Sequence, residues 1–382
     1  MTGLRDVLEK HVGGAGAPGA VALIARGDET EVAAVGTHDV EGTTAMARDS
    51  IFRIASITKP IVAAAVMTLI EDGGVRPEDP IGKWLPELAS PSVVRTPESP
   101  VGDVVPADRP ITVADLLEFR AGYGFAADFS LPAVRTLFEQ VQANPIEPAG
   151  FPAPEEWLAK LARVPMLHQP GAAWLYNTCS DLQGLLIARA SGRSLPEYLA
   201  ERIFTPLGMT DTGFMVPPES RARLARLYRP GGDGGPTPVA TADESWHTMP
   251  RFPSGGGGLV STADDWAAFG RMLLGGGVLD GHRVLSAESV RLMTTDHLTP
   301  AQREAGTLFL EGQGWGYGGS VDVAAVEPWT VPGRYGWVGG TGTTAHIVPA
   351  TGTVAVLLTQ LAMETPVPTT FMREFWRYAA TA

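Results

Sequence analysis

Apolar positions change period along this chain. At both ends they form short unbroken runs, and in the middle they recur at helical spacing. "GAVALIAR" (19–26) and "EVAAVG" (31–36) are separated by Gly27 and Asp28, which predicts an N-terminal hairpin. "TTAHIV" and "TVAVLLTQ" flank "PATG" (349–352) and predict a second hairpin near the C-terminus. Neither hairpin could bury its apolar face alone, so the two are expected to share one sheet. Leu4, Val7, Leu8 and Val12 lie at helical spacing before the first hairpin, and Phe371, Met372, Phe375 and Tyr378 after the second.

Between the ends, 111–120, 131–142, 154–164 and 180–192 read as helices. Proline- and glycine-rich stretches at 89–110, 143–153 and 229–258 separate them and read as surface loops. This predicts an α/β lobe from 1–75 and 235–382, with a mostly helical lobe, 76–234, inserted into it. The 382 residues suffice for a large core, and 44% hydrophobic with 19% charged residues is an ordinary globular balance. A net charge of −13 argues against nucleic-acid binding, which needs clustered Lys and Arg. Cys179 is the single cysteine, so no intrachain disulfide can form. The charged N-terminus lacks a signal-peptide pattern, and the longest apolar run, "PIVAAAVMTLI", is too short to span a bilayer. A cytoplasmic protein without membrane attachment is the expectation. Oligomeric state is left open.

Only Lys10, Lys59, Lys83 and Lys160 are lysines, and Lys59 alone leads into a long apolar run. In "FRIASITKP" (52–60) it follows Ser56 by three positions, which puts both side chains on one helix face. Pro60 suits a first helical turn, so Ser56 is expected at the helix N-terminus, where free N–H groups favour a developing oxyanion. A partly desolvated Lys59 would lose basicity until it accepts a proton at neutral pH. Taken alone, the pair also fits a capping serine and a surface lysine.

The surrounding words resemble the serine β-lactamase-related hydrolases, which include class C β-lactamases, D-Ala-D-Ala peptidases and family VIII carboxylesterases. The likeness runs nearly end to end: "GAVALIARGDE", "FRIASITKP", "IEDGGVRPEDPIGKWLPEL", "ITVADLLEFRAGY", "PLGMTDTGF" (206–214) and "GGGLVSTADDWAAFGRMLLGGG" (256–277) come in the family's order. It implies the serine β-lactamase/DD-peptidase fold, an α/β (α+β) arrangement of an antiparallel sheet flanked by helices plus the inserted helical lobe, with the site between lobes. It implies Ser56 as nucleophile and Lys59 with Tyr176 as the proton-transfer pair, Tyr176 coming from "PGAAWLYNTCSDLQG" (170–184). Where lactamases carry Asn two residues after that tyrosine stands Thr178, and Asp181 follows at five, as in the esterases. In "YGWVGGTGTTAHIVP" (335–349), Trp337 takes the place of the family's Lys or His, with Arg334 as the alternative occupant of the cationic role. Absence of a cation there argues for an uncharged acyl substrate. The N–H groups of Ser56 and Gly340 are the expected oxyanion donors. Tyr123, Phe125, Trp315 and Trp337 are expected to line an apolar acyl pocket, with Thr178 and Asp181 touching substrate.

Other signals are weaker. "GWGYGG" (314–319) fits a dinucleotide fingerprint but precedes no helix, so it reads as an aromatic strand. No GxSxG, HExxH or CxxC occurs, and seven scattered histidines suggest no metal site. The expected activity is a cofactor-free carboxylesterase working on a small-molecule acyl substrate through an acyl-enzyme. An acyltransferase, a D-amino-acid amidase or weak β-lactamase, and a catalytically silent scaffold are the alternatives.

Overall fold

The computed structural model describes residues 3–141, 150–232, 235–239 and 242–381. Both expected hairpins form: β1 (Gly19–Arg26) with β2 (Glu29–Gly36), and β6 (Thr343–Val348) with β7 (Thr353–Thr359). With β3 (Gly314–Trp315), β4 (Ser320–Val321) and β5 (Tyr335–Gly339) they make one antiparallel sheet in the order β3-β4-β5-β6-β7-β1-β2. The chain ends meet through β1 and β7, with Val21 opposite Leu358 and Ile24 opposite Ala355. The "GWGYGG" stretch (314–319) is β3 and the tight turn that leads into β4, not one strand.

Alternation along β1 explains its unbroken apolar reading, because both faces of the sheet are covered. Ala20, Ala22 and Ile24 pack under α1 (Leu4–Glu9) and α5 (Thr370–Ala379). Val21, Leu23 and Ala25 face the main core with α4 (Ala263–Leu274). Tyr378 is only half-buried, and Trp376 takes the buried position beside Phe375.

The central helix α2 (Lys59–Glu71) is buried on every face from Lys59 through Leu69, and apart from Lys59 and Thr68 those residues are apolar. It packs on α3 (Thr178–Ser191), the helix that follows Tyr176. Two other middle helices are shorter than their apolar periods suggest, Val113–Leu117 and Pro154–Leu161, and the one between them is described over Pro132–Val141. The predicted end of the second, residue 142, and most of the stretch 143–153 lie outside the described residues. Among the described residues, no helix is long and apolar enough to cross a membrane.

Candidate active site

Ser56 does not sit in α2 itself. It lies in a 3-10 turn, Ala55–Thr58, from which α2 departs. The turn is entered through Ala55 at φ +43°, a left-handed conformation that costs a non-glycine residue on the order of 1–2 kcal/mol. Two threonines hold the turn against the sheet. Thr341 Oγ1 donates to Arg53 O (2.6 Å) and Thr343 Oγ1 to Ile54 O (2.9 Å). They bring the β5–β6 connection, with Gly339 and Gly340, alongside Ser56. Both Gly340 and Ser56 line the cavity described below.

Lys59 is fully buried, with Nζ 2.9 Å from Ser56 Oγ and 2.5 Å from the carbonyl of Gly256. Burial lowers its pKa to about 7, and the charge of Asp181 opposes that shift. Asp181 accepts from Ser254 Oγ (2.6 Å) and from the Gly256 N–H (3.0 Å), and burial raises its pKa. A single residue, Gly256, thus links the carboxylate to the lysine. The absence of side chains lets this backbone approach closely: a Cβ on Gly255 would overlap Ser180 O. A Cβ on Gly256 would stand 3.2 Å from Asn177 Oδ1 and 3.3 Å from Asp181 Oδ1. The end of the 229–258 stretch is therefore buried at the site, and its surface-loop reading fails there because a glycine run can also mean close backbone approach.

Tyr176 is held by backbone pairing with Phe125, N–H to O at 2.9 and 3.0 Å in the two directions. Its ring lies 4.7 Å from Lys59 Nζ, and its hydroxyl is hydrogen-bonded with Ser56. Burial pushes its pKa up to about 12, against the opposing pull of the Ser56 and Trp337 hydrogen bonds. It is a phenol, not a phenolate, at neutral pH. Trp337 Nε1 donates to Tyr176 Oη at 2.7 Å. That bond occupies an oxygen lone pair and leaves the phenolic hydrogen free to point at Ser56. Changing Trp337 to Phe removes this donor and keeps an aromatic ring of smaller size in the wall, so turnover should fall about tenfold to a hundredfold. Unchanged steady-state rates for Trp337→Phe would remove the tryptophan from this role.

After Tyr176 the backbone makes a γ-turn of the strained hand. Asn177 has φ +82° and ψ −64°, and Thr178 N–H bonds back to Tyr176 O at 3.3 Å. The turn swings Asn177 into the cavity and drives Thr178 into the interior, fully buried. Thr178, expected to touch substrate, is therefore buried away from the cavity; Asn177 lines it instead, so the cavity does have a side-chain amide.

The cavity over Ser56 measures about 480 Å³. Phe125, Trp337 and Asp181 line it, as expected. Tyr123 and Trp315 do not. Tyr123 is 2% exposed and lines a separate small cleft beside Gly122 and Gly124. Trp315 is wholly buried behind Trp337, ring centroids 4.9 Å apart. Arg334 is also elsewhere: buried, 3.6 Å from Asp322 and over the Trp376 ring, in a neighbouring cavity. It is not the missing cation. The apolar wall comes instead from Phe129, Phe138, Phe151, Phe309 and Met363, which were not singled out. Phe138 and Phe309 carry no local signal that separates a cavity wall from a core position. The "SGGGG" run at 254–258, read as surface loop, is the signal that could have marked the floor, since a glycine run also permits close backbone approach.

The Beta-lactamase family model matches residues 4–372, and the chain belongs to that family, a family of serine hydrolases. An uncharacterised protein of Mycobacterium tuberculosis is 37% identical over 358 residues, 90% of this chain and 85% of that one. Esterase EstB of Burkholderia gladioli is 29% identical over 371 residues, 91% and 86% of the two chains. Among solved structures, EstCE1, a hydrolase with promiscuous acyltransferase activity, superposes with a TM-score of 0.81 over 99% of this chain and 97% of that chain. At 24% identity that likeness shows the serine β-lactamase fold.

Proposed function

We propose that this protein is a carboxylesterase of the family VIII type, working through an acyl-enzyme on Ser56. The observation that carries the reading is the buried amine of Lys59, its pKa near 7, 2.9 Å from the Ser56 hydroxyl. A neutral amine at that distance takes the serine proton as Oγ attacks the ester carbonyl. The N–H groups of Ser56 and Gly340 receive the oxyanion. Tyr176 gives its phenolic proton to the departing alkoxide, and the Lys59 ammonium restores it. The same groups then run in reverse: water loses a proton to the amine, attacks the acyl carbon, and Ser56 leaves with the proton. Tyr176 is the acid in this scheme, since burial keeps it protonated, and Lys59 alone is the base.

Acyl transfer to an alcohol differs only in the second nucleophile. The phenylalanine wall favours that second reading, since an apolar cavity of about 480 Å³ holds an organic acceptor better than it holds water. A lactamase role is less well supported, because no Lys, Arg or His lines the cavity among the described residues to meet a substrate carboxylate.

The test is a fluorophosphonate together with a substrate panel. One adduct should form on the wild type and none on Ser56→Ala. Neutral nitrophenyl esters should turn over faster than nitrocefin, with alcohol acceptors diverting part of the product. Absence of any adduct on the wild type, or nitrocefin as the best substrate, ends the proposal.

A further inference from the structure

Where the cavity over Ser56 opens to solvent, its rim is the segment that follows β7. Met363 N–H donates to the carbonyl of Gly340 at 2.8 Å, which fixes the rim beside the glycine turn. The next residue, Glu364, is exposed and lines the cavity. Asp181 is the other ionisable carboxyl in the lining, and it lies at the floor, tied to Ser254 Oγ and the Gly256 N–H and away from the entrance. No cation lines the cavity among the described residues, so the charge left over at the entrance is the carboxylate of Glu364.

The wall is aromatic. Phe125 and Phe138 stack at 4.4 Å between centroids, Phe129 lies 5.7 Å from Phe138 and 6.3 Å from Phe309, and Trp337 extends the wall towards Ser56. Ring faces attract an ammonium group by their quadrupole and do nothing for a carboxylate. The chain as a whole carries −13, a field that draws cations to a low-dielectric cleft and repels anions. Rim charge, ring faces and the overall field all have one sign.

We propose that Glu364 sorts substrates by charge, so that the site selects esters bearing an ammonium group over neutral isosteres and rejects those bearing a carboxylate. The selection rests on the acyl-enzyme reading of Ser56 but is separable from it, because charge sorting acts on binding before any bond is made.

Three esters test it: acetylcholine, its neutral isostere 3,3-dimethylbutyl acetate, and monomethyl succinate. The ratio of kcat/KM for acetylcholine to that for the isostere should be about threefold to tenfold in the wild type, the size expected for one exposed charge with aromatic help. Glu364→Gln should lower that ratio about twofold to fivefold, leaving only what the ring faces and the overall field supply. Glu364→Lys should invert it and raise the relative rate on monomethyl succinate. The same order should appear in dissociation constants measured by tryptophan fluorescence on Ser56→Ala, where no turnover occurs. A ratio equal in wild type and Glu364→Gln by both readouts overturns the proposal. If the wild type hydrolyses none of the three and forms no fluorophosphonate adduct while the binding order holds, the esterase reading fails and the charge selection stands.

Discussion

Lys59→Met should cut turnover about a thousandfold to ten-thousandfold and yet give a protein that melts at a higher temperature. The loss follows from removing the base that takes the serine proton. The gain follows from the burial that makes it a base. Lowering the pKa from 10.5 to about 7 means that the folded state holds a charged Lys59 at a disadvantage on the order of 5 kcal/mol. Methionine fills similar space without a charge, though it leaves the Gly256 carbonyl without its donor, so a net gain of about 1–3 kcal/mol is expected at pH 7.

The sign of the pH dependence is set by the same shift. The folded pKa lies below the unfolded one, so between about pH 7 and 10.5 the unfolded chain binds more protons, and this group makes stability rise with pH across that window. Lys59→Met lacks the effect. Its advantage should be full below pH 7 and fade towards pH 10.5. Wild-type kcat/KM should rise through an apparent pKa near 7 as the amine loses its proton. Thermal melts at three pH values and a pH–rate profile check both. A variant less stable than wild type at pH 7, or a rate that falls as pH rises through 7, contradicts the account of this lysine.

Gly339→Ala should damage fold and site together. A Cβ at that position would overlap Thr343 Oγ1 and stand 2.5 Å from Ile54 O. Those two atoms form the hydrogen bond that ties the sheet to the Ser56 turn. The methyl group cannot fit without pushing β5 and the turn apart. Expected costs are about 2–4 kcal/mol of stability and about a hundredfold in turnover, since an oxyanion donor displaced by a fraction of an ångström no longer meets its acceptor. Gly340→Ala is the control for folding: a Cβ there meets nothing within 4 Å. Its melting temperature should match the wild type's. Normal turnover in Gly339→Ala would show that the turn is not held as described.

Residues whose roles depend on their near neighbours in the chain were found from spacing. The hairpins at 19–36 and 343–359 announce themselves by apolar runs around turn residues. Ser56 and Lys59 are three apart, and the apolar run behind them predicted the burial of Lys59. Tyr176 and Gly340 came from family resemblance, and the structure places both at the cavity. Positions whose role depends on one backbone angle were misjudged. Counting two residues on from Tyr176 selects Thr178, but φ +82° at Asn177 turns the chain so that Asn177 faces the cavity. Tyr123 and Trp315 are aromatics near the right motifs, and both pack behind the wall.

Local order along the chain therefore settled which strands and helices form and which serine and lysine stand one turn apart, because those contacts lie within a few residues of each other. Folding in three dimensions settled how basic the lysine is, which rings make the wall and where the acidic rim falls. Those depend on solvent exclusion and on segments more than a hundred residues apart: Lys59 with Gly256, Tyr176 with Trp337, Phe125 with Phe309 across the cavity. No periodicity in a linear chain encodes distances of that kind, since they are set by how the sheet and the helices close on one another.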